Sequence, residues 1–164
     1  MKIKDNFISK EDLIKLEKII HHPYFPWYLQ KSQTENDGRW FSQLLYIDDR
    51  PQSEFFSAVW DDIFGKYFHY VTLCRIHASL LINKNQSIAS NFHRDYDDVE
   101  TNAVTTAIFY LNTNNGYTEF ETGEKVSSVK NRLVMFPRTI AHRAVSQTDT
   151  DNRFVLNFNF INGE

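Results

Sequence analysis

The chain has 164 residues and a formal net charge of −3, a length that fits one domain with its own core. A hydrophobic share of 41% and an aromatic share of 15% exclude a disordered chain, and the absence of any block of Lys and Arg argues against nucleic acid as a partner. The one cysteine, Cys74, excludes an internal disulfide, and with neither a signal-peptide pattern nor a membrane-length apolar run the sequence reads as cytoplasmic, with no membrane partner.

The first predicted element is a helix over 9–21. Ser9 can cap it, Asp12 follows three positions later, and Leu13, Leu16, Ile19 and Ile20 form one apolar stripe. Pro23 ends it, because the residue before a proline disfavours the helical region. Residues 23–50 read as aromatic and irregular, with a turn at Asn36-Asp37-Gly38. A second helix is predicted from Pro51, a favoured first position, through Phe55, Phe56, Val59, Trp60 and Ile63 to Gly65.

From about residue 67 strand patterns dominate. Strands are predicted over 70–82, 88–93, 104–111, 117–121, 132–136, 142–145 and 153–161, with turn signals at Asn114-Asn115-Gly116 and Thr122-Gly123. Short strands at close spacing indicate a sandwich or barrel rather than parallel βαβ units. The fold class is therefore mainly β with flanking helices (α+β), a jelly roll carrying its N-terminal helices on one sheet. The expected organisation is a single domain over 1–164, with a helical and irregular part at 1–66 and a β core at 67–162.

Chemistry begins at His93-Arg94-Asp95. On a strand, residues two apart face the same side, so the imidazole and the carboxylate can converge on one ion. Alone, this pattern is no better than a surface histidine beside the acidic run Asp95, Asp97, Asp98 and Glu100. His142 adds to it, because it follows the strand end marked by Pro137 and opens a new strand. Two histidines and one carboxylate on one face form a set that leaves metal positions open. Taken alone, His142 would be a structural histidine at a strand edge. His21 and His22, which close a helix, and His69 and His77, which lack a carboxylate at strand spacing, are weaker ligand candidates.

Further along, alternation puts Arg153, Val155, Asn157 and Asn159 on one face of the last strand and Phe154, Leu156, Phe158 and Phe160 on the other. With the phenylalanines outward, Arg153 is buried, which is costly unless an anion meets it. Its planar fork matches a carboxylate in a bidentate contact.

These pieces, in order, resemble the Fe(II)/2-oxoglutarate oxygenases, in particular the compact bacterial and phage members of the prolyl-hydroxylase-like branch. The carriers are His93-Arg94-Asp95, the strand from Ala107 to Asn112, the turn through Asn115-Gly116, Tyr117 to Phe120, Asn131 to Phe136, His142 and Arg153. The resemblance implies a double-stranded β-helix in which His93, Asp95 and His142 hold Fe(II) and Arg153 pairs with the distal carboxylate of 2-oxoglutarate. It further implies that Asn157 assists that carboxylate and that Tyr110 or Thr106 adds a hydroxyl. The implied reaction hydroxylates a peptide, protein or small organic substrate, releasing succinate and carbon dioxide, with ascorbate as auxiliary reductant. A prolyl side chain is the first substrate expected. Aromatic residues at 24–28 and 40–46 are candidates for a peptide groove or, for most of them, core packing. The competing class is a metal-binding, cupin-like jelly roll without oxygenase activity.

Overall fold

Helix α1 spans Lys10–Ile20 in the computed structural model, which describes residues 1–30, 40–69, 71–95 and 103–163. The turn predicted at 36–38, Tyr70 and the acidic residues Asp97, Asp98 and Glu100 lie outside the described residues. Ser9 caps α1 by accepting the Asp12 amide, and Glu11 and Asp12 sit in the first turn, where the helix dipole favours negative charge. Its buried face carries Leu13, Leu16 and Ile20.

The second helix begins later than predicted. Pro51 belongs instead to a short strand β4 (Arg50–Pro51), paired with β3 (Trp40–Ile47). Asp48 and Asp49 turn the chain between them with φ of 50° and 58°. Positive φ at both central residues suits a tight hairpin, and aspartate tolerates it better than most residues. Pro51 then lies at a sheet edge, where its missing N–H is harmless. Helix α2 covers only Phe56–Val59 and continues as a π-helical turn, Trp60–Phe64. The segment read as irregular thus holds the eight-residue strand β3, whose WFSQLLYI sequence is strand-like.

The remaining strands are β1 (Lys2–Lys4), β2 (Tyr28–Gln30), β5 (Val71–Ile82), β6 (Val104–Tyr110), β7 (Tyr117–Phe120), β8 (Lys125–Ser127), β9 (Arg132–Pro137), β10 (His142–Val145) and β11 (Asn152–Asn162). The large antiparallel sheet runs β1-β9-β6-β11-β5-β3-β2, and a small one runs β10-β7-β8. This is the jelly roll anticipated. Strands β1 and β8 escaped prediction because three residues give no period to read. The predicted strand at 88–93 is reduced to bridges at Ala89 and His93. Asn131, at φ 64°, clasps Ile8 through both its amide groups and so anchors the chain after β1.

Strand β11 lies between β5 and β6, and each of its faces is buried for a different reason. Phe154, Leu156, Phe158 and Phe160 do point away from the space between the sheets. They are not solvent-facing, however: they pack with Leu16 and Ile20 of α1 and with Ile63 and Phe64. Full burial of each such side chain contributes about 1.5–3 kcal/mol. The opposite face looks toward the small sheet, where Ile108, Phe120, Phe136 and Val155 form a second core. Arg153, Asn157 and Asn159 share that inner face and are also buried.

Candidate functional site

The inner face opens on a cavity of about 740 Å³. His93, Asp95, His142 and Arg153 all line it, together with Arg75, His77, Thr118 and Asn157. Its histidines are aligned by the backbone. His93 and His142 exchange both amide hydrogen bonds, at 3.0 and 2.9 Å, so their side chains are direct cross-strand neighbours. Their ring centroids are 4.6 Å apart. Two residues beyond His93 the chain brings back Asp95, while Arg94 turns away and donates to the Thr139 carbonyl at 2.8 Å.

The Asp95 carboxylate stands between the two imidazoles. Its Oδ1 is 3.7 Å from His93 Nε2 and its Oδ2 is 3.7 Å from His142 Nε2. The three ligand atoms lie within 4.8 Å of one another. Burial lowers the His142 pKa against the pull of Asp95, favouring the neutral imidazole that can bind a metal. For Asp95, burial acts upward but is outweighed by His142, Arg75 and the Asn157 hydrogen bond, which hold the carboxyl near 2. Phe136 packs edge-on against His142 at 4.8 Å and walls that side from water. His93 is the exposed member and faces the opening.

Arg153 occupies another part of the cavity and is 1% exposed. Its Nε donates to Ser128 Oγ at 2.7 Å, and Nη2 lies 3.4 Å from Thr118 Oγ1. Its guanidinium also sits over the Tyr110 ring. Among the described residues no carboxylate pairs with it, and burial alone pushes its pKa down. Gly116 passes so close that a Cβ there would come within 3.0 Å of Arg153 Cδ.

The other residues expected to contact the cosubstrate have partners within the protein. Asn157 donates to Asp95 Oδ2 at 2.7 Å, because its place on β11 is level with the metal ligands rather than with Arg153. Its Oδ1 is buried without a partner among the described residues. Thr106 does not line the cavity; its hydroxyl accepts from Asn159 at 3.0 Å. Tyr110 donates its hydroxyl to Thr118 at 2.8 Å, so it acts on the site through Thr118.

Three contributors were missed, Arg75, Thr118 and Ser128, and His77, weighed only as a weak ligand candidate, also lines the cavity. Arg75, His77 and Ser79 alternate along β5, and that polar face was the available signal. His77 lines the cavity half-buried, and burial followed by Arg75 pushes its pKa down to about 4. Of the aromatics at 24–28 and 40–46, Phe25 is core and Tyr46 stacks on Phe56, whereas Trp40 lines the cavity.

No protein-family model and no curated protein matches the chain. Solved structures do. A 2-oxoglutarate/Fe(II) oxygenase-family oxidoreductase from Burkholderia pseudomallei superposes at TM-score 0.71 with 11% identity, over 97% of this chain and 84% of that one. A Pseudomonas putida prolyl-4-hydroxylase gives 0.62 and 14%, over 99% and 92%. The α-ketoglutarate-dependent epimerase SnoN from nogalamycin biosynthesis gives 0.70 and 12%, over 98% and 76%. At such identities the likeness is one of fold, and one fold serves several chemistries.

Proposed function

We propose that this protein is an Fe(II)- and 2-oxoglutarate-dependent dioxygenase that hydroxylates an organic substrate. The observation that carries the proposal is the pairing, in one cavity, of a two-histidine, one-carboxylate set with a buried arginine that meets no acid among the described residues. A buried guanidinium held only by neutral hydroxyls is poorly compensated, so an anionic ligand is what the site lacks. Three protein ligands leave open positions on the metal, as oxygen chemistry requires.

In this reading His93, Asp95 and His142 hold Fe(II), and Arg153, steadied by Ser128 and Thr118, binds the distal carboxylate of 2-oxoglutarate. When bound, metal and cosubstrate together supply the oxidising chemistry, with succinate and carbon dioxide as by-products. The chain supplies orientation and shelter. Phe120 and Phe136 exclude water beside His142, and Ile108 and Val155 add apolar surface to the cavity lining. Ascorbate serves as auxiliary reductant.

The substrate class we put first is a peptidyl, prolyl side chain. Support comes from Trp40 and the exposed Phe92 on the cavity lining, since proline-containing segments favour aromatic walls. The test is turnover with Fe(II), ascorbate, 2-oxoglutarate and a proline-rich peptide library, read as a mass gain of one oxygen. Succinate release with small organic acids alone would keep the dioxygenase and discard the peptide. Metal binding with no effect of 2-oxoglutarate would instead favour a cupin-like binding protein.

A further inference from the structure

Arg75, the second arginine of the cavity, is bonded quite differently from Arg153. Its Nε donates to Asn159 Oδ1 at 2.9 Å, and its Nη2 lies 3.4 Å from Asp95 Oδ1. Asn159 in turn donates to Thr106 Oγ1 at 3.0 Å. We propose that Arg75 is a positioning residue that fixes the Asp95 carboxylate for the metal, with Asn159 and Thr106 holding Arg75 to that task. The inference rests on the metal centre proposed above.

A carboxylate rotates about its Cβ–Cγ bond, so a ligand set containing one needs that rotation fixed. Here each oxygen has its own constraint: Oδ2 accepts from Asn157 on β11, and Oδ1 faces Arg75 on β5. The two strands are in register, with Asn157 opposite His77 and Asn159 opposite Arg75. Both donors therefore come from adjacent, hydrogen-bonded strands of the large sheet. An arginine by itself is too flexible to aim. Asn159 removes that freedom by gripping Nε, and its own amide is oriented by Thr106. Asn159 and Thr106 are both fully buried, at 0% exposure. The polar inner face of β11 beyond Arg153 thus serves the metal carboxylate rather than the cosubstrate.

Charge alone predicts the opposite sign. A guanidinium beside a divalent cation repels it, so an arginine acting only through charge would weaken metal binding. Arg75→Lys separates the two effects: it keeps the positive charge and loses the fork that reaches Asn159 and Asp95 together. Asn159→Ala leaves both the charge and the Asp95 contact in place and removes the acceptor that grips Nε.

The experiment titrates Co(II) into the wild-type chain, Arg75→Lys, Asn159→Ala and the double variant. It records both affinity and the visible absorption of the bound ion, with circular dichroism as the check on folding. Positioning predicts roughly 10- to 100-fold weaker Co(II) binding in Arg75→Lys, with an altered absorption band. Asn159→Ala should lose less in the same direction, and the double variant should be no worse than Arg75→Lys. Wild-type affinity and spectrum in Arg75→Lys would overturn the role while leaving the metal centre standing. Failure of the wild-type chain to bind Co(II) would instead overturn the metal centre, and this role with it. Should Arg75→Lys not fold, Asn159→Ala decides: unchanged affinity and spectrum there refute the arrangement.

Discussion

Replacing Arg153 with Met removes the charge while nearly keeping the volume. In the folded chain Arg153 is 1% exposed and bonded to Ser128 and Thr118, with no carboxylate partner among the described residues. Once 2-oxoglutarate is bound, truncating one side of such a buried, hydrogen-bonded charge pair costs about 2–5 kcal/mol. At about 1.4 kcal/mol per tenfold, that is roughly 30- to 4,000-fold in affinity. The free protein should change little. Loss of the Ser128 bond costs about 1–3 kcal/mol, while removal of an uncompensated buried charge offsets part of it. Calorimetric titration of 2-oxoglutarate into Mn(II)-loaded protein reads the first effect, and thermal melting of the metal-free chain reads the second. Arg153→Lys should fall between wild type and Met, since a point charge cannot reproduce the fork. Equal 2-oxoglutarate affinity in wild type and the Met variant would refute the anchor. A collapse in melting temperature without any loss of affinity per folded molecule would make Arg153 a structural residue.

Three further outcomes follow from the same geometry. His142→Ala should abolish Fe(II) binding while circular dichroism stays near wild type, because His142 touches mainly Phe120, Phe136 and the other ligands; native iron affinity would remove it from the ligand set. Gly116→Ala should lower both thermal stability and 2-oxoglutarate affinity but spare the metal, since the added Cβ would lie 2.9 Å from the Val145 carbonyl and 3.0 Å from Arg153 Cδ; calorimetry and melting curves check both. Asp12 gives a pH-dependent stability contribution. Burial acts upward on its pKa but is outweighed by Lys66, Tyr67 and Ser9, which bring it to about 2. A depressed carboxyl stabilises the fold above its unfolded value near 4, and that contribution is lost as pH falls through about 2. Its ion-pair partners Lys15 and Lys66 are themselves half-exposed, so solvent screening trims the effect. Acid unfolding followed by fluorescence should therefore begin at higher pH in Asp12→Ala than in wild type, and coincident curves would contradict this.

The pattern His-x-Asp, a strand-opening histidine and an alternating last strand was readable without coordinates because each depends on local geometry. Residues two apart on a strand share a face whatever surrounds them. The same locality made helix 9–21 readable from Ser9 and its apolar stripe. It failed where neighbours overrode propensity, as at Pro51, drawn into β4 by the hairpin at Asp48-Asp49. Asn157 and Thr106 mark the limit most clearly. Sequence put Asn157 on the inner face, and there it is, but which group it meets depends on how far along β11 the ligand set docks. Thr106 lies on the strand expected of it, yet its hydroxyl answers to Asn159 rather than to the cavity. Arg75 and His77 sit on β5, far upstream of the histidines, and join the site through antiparallel register with β11. Which residues share a face follows from the order of residues along each strand. Which faces meet, and at what level, follows from register and sheet order, which are set by contacts between residues far apart in the chain.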